Sequence, residues 1–530
     1  MRNPRWLLAA GLAALLFFGC TNERETAGDT GVPDASTGED VVDEPDAPDA
    51  DEPDASEPDA DAGEDPDPSA GIEPLPLGSG PIIWVDNSCP TNGDGTTDDC
   101  DDGESGPFND LHLALAAAEP GNTVQILQGT GDYVTNHMGD YRPHVDGGFH
   151  IEAPMGSTDP ITIRSAPGHQ PRFANCAIDD FENYCPNPTF TARGGRIVFD
   201  DLTIQGGIVI RGDGAVTRSR LSKGYEPQGD GNIGAIKVIN PGGWETAHVG
   251  PFRNNYFHDF HGLETSAFTG SWIYIFHSRD VVIEYNTFEG FEYTGGHGAL
   301  VDKHSHSENL IFRYNLIIDG KAGPLGNQTD FQSYGNVIHC GGDTRSAMEV
   351  ANGDQFHNTV VDCTVGLYVN QEDPRYPERL GTRDGELYNN IFADIHDANL
   401  RRWEPWDEEP DYFTGLERID FNAYTPGRYF WWMHSHYGIS WQEWQEGIAE
   451  EFGFDQNSAE LVCEFRDPAA HDYRLVPGSV CTSFGREGGV TTGDPVELGA
   501  FAVTDCVGHL CYPGASFIPY DSSWRAAALQ

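Results

Sequence analysis

The chain has 530 residues and a formal net charge of −55, with 85 Asp+Glu against 30 Lys+Arg. That balance excludes a nucleic-acid surface, which needs cations to neutralise phosphates. With 63 Gly, 35 Pro and 11% aromatic residues, the composition suits a turn-rich β protein rather than a helical one, and the length exceeds one minimal core.

Residues 1–20 read as a secretion signal: Arg2 and Arg5 precede an apolar stretch, Trp6–Phe18, that is short for a membrane span. The stretch ends in Phe17-Phe18-Gly19-Cys20, which resembles a bacterial lipobox. The resemblance implies that Cys20 is lipidated and becomes the mature first residue, and Thr21 after it implies the outer membrane. Two or more acyl chains anchor stably, at roughly 0.8 kcal/mol per buried CH₂. Residues 21–80 hold 20 Asp+Glu and one Arg, with Pro-Asp-Ala occurring five times between Pro33 and Ala60. Such a segment buries almost nothing and repels itself, so a disordered acidic tether is expected. The remaining body, 81–530, still carries −38; it disfavours polyanionic partners unless cations bridge.

With Cys20 set aside, ten cysteines remain, an even number that fits an oxidising compartment. Short separation favours Cys89 with Cys100, Cys176 with Cys185, Cys340 with Cys363, Cys463 with Cys481 and Cys506 with Cys511; spacing alone leaves other pairings open. No Cys-x-x-Cys pair suggests a thiolate metal site. The loop Asn92–Asp102 sets Asp94, Asp98, Asp99 and Asp101 among glycines and threonines, an oxygen-rich pattern that suits calcium, although it also serves as an acidic turn. Over Pro107–Glu119 the apolar positions Leu111, Leu115 and Ala118 fall at i, i+4 and i+7, which predicts a short amphipathic helix capping the first turn of the β-rich body.

From there the chain repeats. His277-Ser-Arg-Asp-Val-Val-Ile-Glu-Tyr-Asn286 matches His306-Ser-Glu-Asn-Leu-Ile-Phe-Arg-Tyr-Asn315 at a spacing of 29, and further copies centre on Asn255, Asn336, Asn358, Asn390 and Asn422. The steps between these asparagines are 31, 29, 21, 22, 32 and 32 residues, a minimum turn of 21 or 22 with insertions. Each copy is a β-branched or aromatic run alternating with period 2, so it reads as a strand, and no helical pattern separates the copies. Strands without crossover helices leave a coil in which each turn stacks about 4.8 Å above the last. One Asn per turn between apolar residues fits an internal amide ladder rather than surface turns, which would place Gly or Pro beside it.

This pattern, with Ile83-Trp-Val-Asp86, Gly106-Pro-Phe-Asn-Asp-Leu111 and Pro120–Ile126 at the start and Asp472–Ser479 and Glu497–Phe501 at the end, resembles the pectin-lyase-like right-handed parallel β-helix. The expected fold is therefore all-β: a single-stranded right-handed parallel β-helix over 81–502 behind a short capping helix, followed by a disulfide-containing tail, 503–530. Six of the 11 Trp lie between Trp403 and Trp444. By the same resemblance Ser440-Trp-Gln-Glu-Trp444 is a closing segment, and Trp431 and Trp432 are the better candidates for stacking on sugar rings.

Chemistry is sought first at Asp302-Lys303-His304-Ser305-His306. With Asn309, Arg313, Tyr314 and Asn315 it resembles the site stretch of the alginate-lyase and chondroitinase-B type of polysaccharide lyase. The resemblance implies that Lys303 takes the C5 proton of a uronate while calcium neutralises the carboxylate; crowding or desolvation lowers a lysine toward a useful pKa. The family's Arg-His-Gly is absent: its place holds Gly326-Asn327-Gln328, and no Arg occurs between Arg313 and Arg345. Repeat alignment places His277 beside His306 on neighbouring turns and pairs Glu284 with Arg313; His297 and His304 enrich the same region, which suits proton transfer or zinc. Gly296-His297-Gly298 resembles part of the polygalacturonase site, but the Asp pair and Arg-Ile-Lys that such hydrolases need are missing. Catalysis is thus assigned to Lys303, His304, His306 and Arg313, the partner is an extracellular polysaccharide, and the alternative is a non-catalytic adhesin or structural surface protein.

Overall fold

The computed structural model describes residues 78–129, 133–134, 148–175, 188–222, 233–239, 249–258, 270–276, 278–290, 301–302, 308–320, 331–342, 347–350, 353–369, 385–402, 416–431 and 438–500. The secretion signal, Cys20, the tether and the tail from 501 lie outside the described residues, as do Cys176, Cys185, Cys506 and Cys511. Among the described residues no helix is long and apolar enough to cross a membrane.

After a first strand, Ile82–Val85, the capping helix spans Leu111–Ala117. Asp110 caps it, its side chain accepting from the His112 backbone N–H, which satisfies one of the unpaired donors of the first turn. Leu111, Ala114 and Leu115 are buried in the core, and Ala118 packs against it, so the expected apolar stripe is the face that seals the first coil.

Apart from two short antiparallel pairs near the end, Phe465–Asp467 with Asp472–Leu475 and Gly485–Arg486 with Pro495–Val496, the strands fall into three walls that the chain visits in turn. Wall A begins at Ile82–Val85 and Thr123–Ile126 and continues through Val249–Arg253, Arg279–Glu284, Glu308–Arg313, Phe331–Tyr334, Gly353–Phe356, Gly385–Tyr388 and Leu416–Asp420. Wall B is a sheet of 12 strands that includes Tyr256–His258, Thr287–Glu289, Leu316–Ile318, Val337–His339, Thr359–Val361 and Ile391–Ala393. Wall C holds Phe149–Ala153, Ile233–Ile239, Gly270–Phe276 and Val301–Asp302, and further on a four-stranded sheet from Met348–Val350 to Tyr429–Trp431. The long strands Phe190–Asp200 and Ile208–Thr217 run through both wall C and wall A, with a register shift between Gly194 and Ile197 at the bend. Pairing within each wall is parallel and joins each strand to the one a full circuit later, for example Glu284 with Arg313 and Phe288 with Ile317. A chain that cycles A, B, C and pairs in parallel with its own next circuit is a parallel β-helix. No crossover helix is needed, because the other two walls make the return connection.

The corner from wall A to wall B is held by the asparagines. Asn255 Nδ2 donates to Asn286 Oδ1 at 3.0 Å, Asn286 to Asn315 at 3.0 Å, Asn315 to Asn336 at 3.0 Å, Asn336 to Asn358 at 3.0 Å, Asn358 to Asn390 at 3.1 Å and Asn390 to Asn422 at 3.0 Å. Each Oδ1 also accepts the backbone N–H of the preceding ladder residue, and each Nδ2 donates to a wall A carbonyl, as Asn315 does to Ile283. Ser219 N–H starts the series on Asn255, and Ser458 Oγ ends it on the Asn422 N–H. Fully engaged amides of this kind are the arrangement that makes buried polar groups tolerable.

One regularity was not legible from the repeat: the residue before each ladder position is left-handed. Asn254, Tyr285, Tyr314, His357, Asn389 and Phe421 have φ between 52° and 56°, and Gly335 has 64°. Aromatic side chains seldom adopt this conformation; here the bonds made by the following Asn hold it. Gly335 is glycine for a second reason, since an added Cβ would meet the Tyr314 ring at 2.5 Å.

At the far end, Trp441–Trp444 is a single helical turn with a Ser440/Glu443 capping box, continued by Gln445–Ala449 and Glu450–Phe452. Trp444 is fully buried, stacks on Phe430 with ring centres 5.0 Å apart and donates Nε1–H to Asp455 at 2.9 Å. The closing segment is therefore packing, as its resemblance implied. Beyond it, Tyr473, Leu475, Cys481, Leu498 and Ala500 lie on the outer side chains of wall B, among them Leu316, Val337, Val361 and Ile391. Three disulfides are formed as the short separations favoured: Cys89–Cys100, Cys340–Cys363 and Cys463–Cys481.

Candidate functional site

Wall B carries that apolar cover, so an outward-facing lane is sought on walls A and C. The corners distinguish them. From Asp201-Leu202 to Phe421-Asn422 the A-to-B corner is always two residues, whereas chain is inserted at both borders of wall C: 223–232, 259–269 and 290–300 before it, and 240–248, 303–307, 370–384 and 403–415 after it. Insertions on a rigid coil are where binding groups are usually carried.

The outer side of wall C is polar. Lys237 alternates with the core residues Ile236 and Val238, so it faces away from the interior, and yet it is fully buried. Its register neighbours are Val209 on one side and Tyr274 on the other, with the ammonium 5.7 Å from the Tyr274 ring centre. The stem passes over Gly234, where a Cβ would come within 3.1 Å of Lys237 Cγ, so the bare backbone makes room for it. In the same row Thr191 pairs with Val209, and Tyr274 pairs with Asp302. Among the described residues, the Thr191 and Ser271 hydroxyls are buried without a protein hydrogen-bond partner. Further along wall C the Arg401 guanidinium lies 4.5 Å from the Trp431 ring centre.

Asp302, the end of that row, is followed directly by Lys303. Lys303, His304 and His306, with His277 and His297, lie outside the described residues. In chain order Lys303, His304 and His306 fall between Val301–Asp302 and Glu308–Arg313. Sequence reasoning did not single out Lys237; the signal was there in Ala-Ile-Lys-Val-Ile, where alternation puts the lysine opposite two core positions.

Arg313 is described, and its environment is specific. It forms an ion pair with Glu284, Nε to Oε2 at 2.8 Å, as repeat alignment implied, and Nη1 donates to the Tyr334 hydroxyl at 2.7 Å. Glu284 is fully buried and also pairs with Arg253. Burial opposes the charge on Arg313, but Tyr334 and Glu284 outweigh it and hold its pKa above the ordinary arginine value. The guanidinium is therefore engaged within the outer surface of wall A. Near the start of the same two strands, Asn309 Nδ2 donates to Asp280 Oδ1 at 2.8 Å, both residues having positive φ.

The acidic loop near the start is closed by Cys89–Cys100. Asp94 Oδ1 accepts from Thr96 N–H, Asp99 Oδ1 accepts from Asp101 N–H, and Asp94, Asp98, Asp99 and Asp101 are exposed. The calcium expectation for this loop rests on sequence alone. Asp86 lies beside the two sulfurs, but these are bonded to each other and are not available as ligands.

The molecule is thus a parallel β-helix whose variable chain borders one wall. No protein-family model and no curated protein matches the chain. Among solved structures it is similar to the pectate lyase Pel9A, at 13% identity and a TM-score of 0.40, covering 81% of this chain and 98% of that one. It is also similar to the PL6 family alginate lyase AlyGC, at 13% identity and a TM-score of 0.36, covering 81% of this chain and 59% of that one. A third is a mannuronic acid specific polysaccharide family 6 lyase from human gut microbiota, at 13% identity and a TM-score of 0.31, covering 65% and 87% respectively. The chain spans about three fifths of the length of the alginate lyase. The fold assignment rests on this chain's own strand registers.

Proposed function

We propose that the protein binds extracellular uronate-containing polysaccharide along the outer side of wall C and cleaves it by β-elimination with Lys303 as base. The observation that supports this reading is the row Thr191, Val209, Lys237, Tyr274, Asp302, which crosses successive coils and ends at the residue before Lys303. Strands stacked at about 4.8 Å repeat along the coil as the units of an extended polymer do, and Thr191, Val209, Lys237 and Tyr274 are themselves buried beneath the surface such a polymer would follow. Crowding or desolvation moves a lysine base toward the pKa that proton abstraction at neutral pH needs. Lys303→Ala should abolish the rise in ultraviolet absorbance from an unsaturated product on uronate polymers while leaving the fold intact.

A second reading, glycan binding without turnover, is favoured by the engagement of Arg313 with Glu284 and Tyr334, which leaves that guanidinium committed inside the wall. Retention of a uronate polymer on an affinity gel without product would select it. We also propose that Cys20 carries the lipid anchor to the outer membrane; Cys20→Ser should move the protein from the membrane fraction to the soluble fraction.

A further inference from the structure

The outer rim of wall B, far in sequence from Lys303, gathers histidines and carboxylates from four coils. His339 and Val361 are register neighbours, as are Val361 and Ala393, so the segments that end these three strands lie side by side. Asp319, Asp362 and Asp394, each left-handed at the end of its strand with φ between 48° and 55°, turn out of the wall here. Both oxygens of Asp362 meet imidazoles: Oδ1 lies 2.6 Å from His396 Nε2, and Oδ2 lies 3.5 Å from His339 Nε2. The other nitrogen of His339, Nδ1, is 3.1 Å from Asp319 Oδ1, although off the line of a good hydrogen bond. The backbone is pinned from both sides. Cys340, next to His339, is bonded to Cys363, next to Asp362. The covering segment adds His471, its ring 4.9 Å from that of His339, and Tyr473, whose ring stacks over His339 at 5.9 Å.

The geometry points to a divalent transition-metal site of the zinc class, ligated by His339 Nε2, His396 Nε2 and the Asp362 carboxylate, with Asp319 holding the His339 ring. Neutral imidazoles with one carboxylate and an open position are a zinc donor set. With bonds of about 2.0–2.2 Å, two tetrahedral ligands sit about 3.4 Å apart, close to the 3.5 Å between His339 Nε2 and Asp362 Oδ2. In the metal-free arrangement the 2.6 Å contact to His396 is a hydrogen bond, and the ion would take the place of the shared proton. As they stand the three donors do not all come within 4.8 Å of one another, so binding requires a movement, and it falls on the His396 side chain, which is 45% exposed and able to swing toward His339, itself 14% exposed and fixed. Asp319 stands 3.1 Å from the far nitrogen, placed to complete the carboxylate–histidine–metal arrangement that fixes tautomer and ring orientation once that contact straightens into a hydrogen bond. A metal here would clamp three coils and lie beside the covering segment, and it depends on nothing proposed for Lys303.

The test is titration of Zn²⁺ into the chelator-treated full chain by calorimetry, with thermal melts alongside. Other acidic and histidine groups also take up zinc weakly, so the readout is a difference. The wild type should bind one more high-affinity equivalent than the His339→Gln/His396→Gln double variant, and zinc should raise the melting temperature of the wild type alone. Asp319→Asn should retain the equivalent but weaken it about 10–100-fold, the ordinary effect of removing such an orienting partner. His396→Gln alone, at an exposed position, keeps the test valid if the double variant fails to fold. Equal stoichiometry and affinity in the wild type and His396→Gln, or no high-affinity zinc in the wild type, would overturn the site.

Discussion

The A-to-B corner and the borders of wall C are built from the same coil but answer to different constraints. At the A-to-B corner every ladder amide has its hydrogen atoms and its oxygen engaged, with donors and acceptors from the circuits before and after, so a single extra residue would orphan several buried groups at once. The corner stays at two residues for nine successive passes. Among the described residues the borders of wall C carry no such ladder, and the chain between the flanking strands varies in length from pass to pass. A coil therefore keeps its geometry at one corner and is free to vary, and to acquire chemistry, at the other two.

The contrast can be broken from the rigid side first. Asn315→Ala should be the most damaging single change, about 5 kcal/mol in chemical denaturation, because Asn286 Nδ2, the Ile283 carbonyl and Asn336 Oδ1 all lose a buried partner at ~1–3 kcal/mol each. A substitution of similar size inside 223–232, at a wall C border, should cost about 0.5 kcal/mol or less.

Next in size is the pH response of the closing segment. Asp455 is fully buried, and burial pushes its carboxyl up to about 7 despite hydrogen bonds from Ser458, Trp444 and Tyr424. Because the folded value is raised, the native state holds a proton that the unfolded chain releases near pH 4. The contribution is complete below about pH 4 and is lost as pH rises toward about 7, on the order of 4 kcal/mol for a shift of this size. Across that window the thermal stability of the wild type should fall relative to that of Asp455→Asn, which stays neutral, as pH rises; parallel curves would show that Asp455 does not titrate there.

Glu284→Ala ranks third, at about 3 kcal/mol, since it leaves Arg313 and Arg253 facing each other without their shared carboxylate. Smaller than these three is the effect at Gly335, where Ala should cost about 1–2 kcal/mol through the positive φ and the 2.5 Å approach to Tyr314.

Much of this architecture was legible in the sequence, and the reason is periodicity. Asn255 to Asn422 recur at a fixed place in a strand pattern, so the ladder, the Glu284–Arg313 pair and the parallel pairing emerge from alignment of the chain with itself. The capping helix was legible from Leu111 and Leu115, although its ends shrank to Leu111–Ala117 because Asp110 caps it and extended backbone at Ala118 stops it. What does not repeat was not legible. His339, Asp362, His396 and His471 belong to no common motif; they meet because Asp319, Asp362 and Asp394 turn out of the wall at corresponding points and the covering segment returns across wall B. Lys237 was hidden for a related reason: alternation gives its side of the strand, but its burial depends on what lies over wall C.

The central claim is elimination at the corner just after Asp302. Purified body should be incubated with uronate polymers of different composition and followed at the ultraviolet absorbance of an unsaturated uronate, in parallel for the wild type and Lys303→Ala. The account predicts product on at least one polymer with the wild type and none with Lys303→Ala. Undiminished product from Lys303→Ala, or neither product nor binding with the wild type on any uronate polymer, would contradict it.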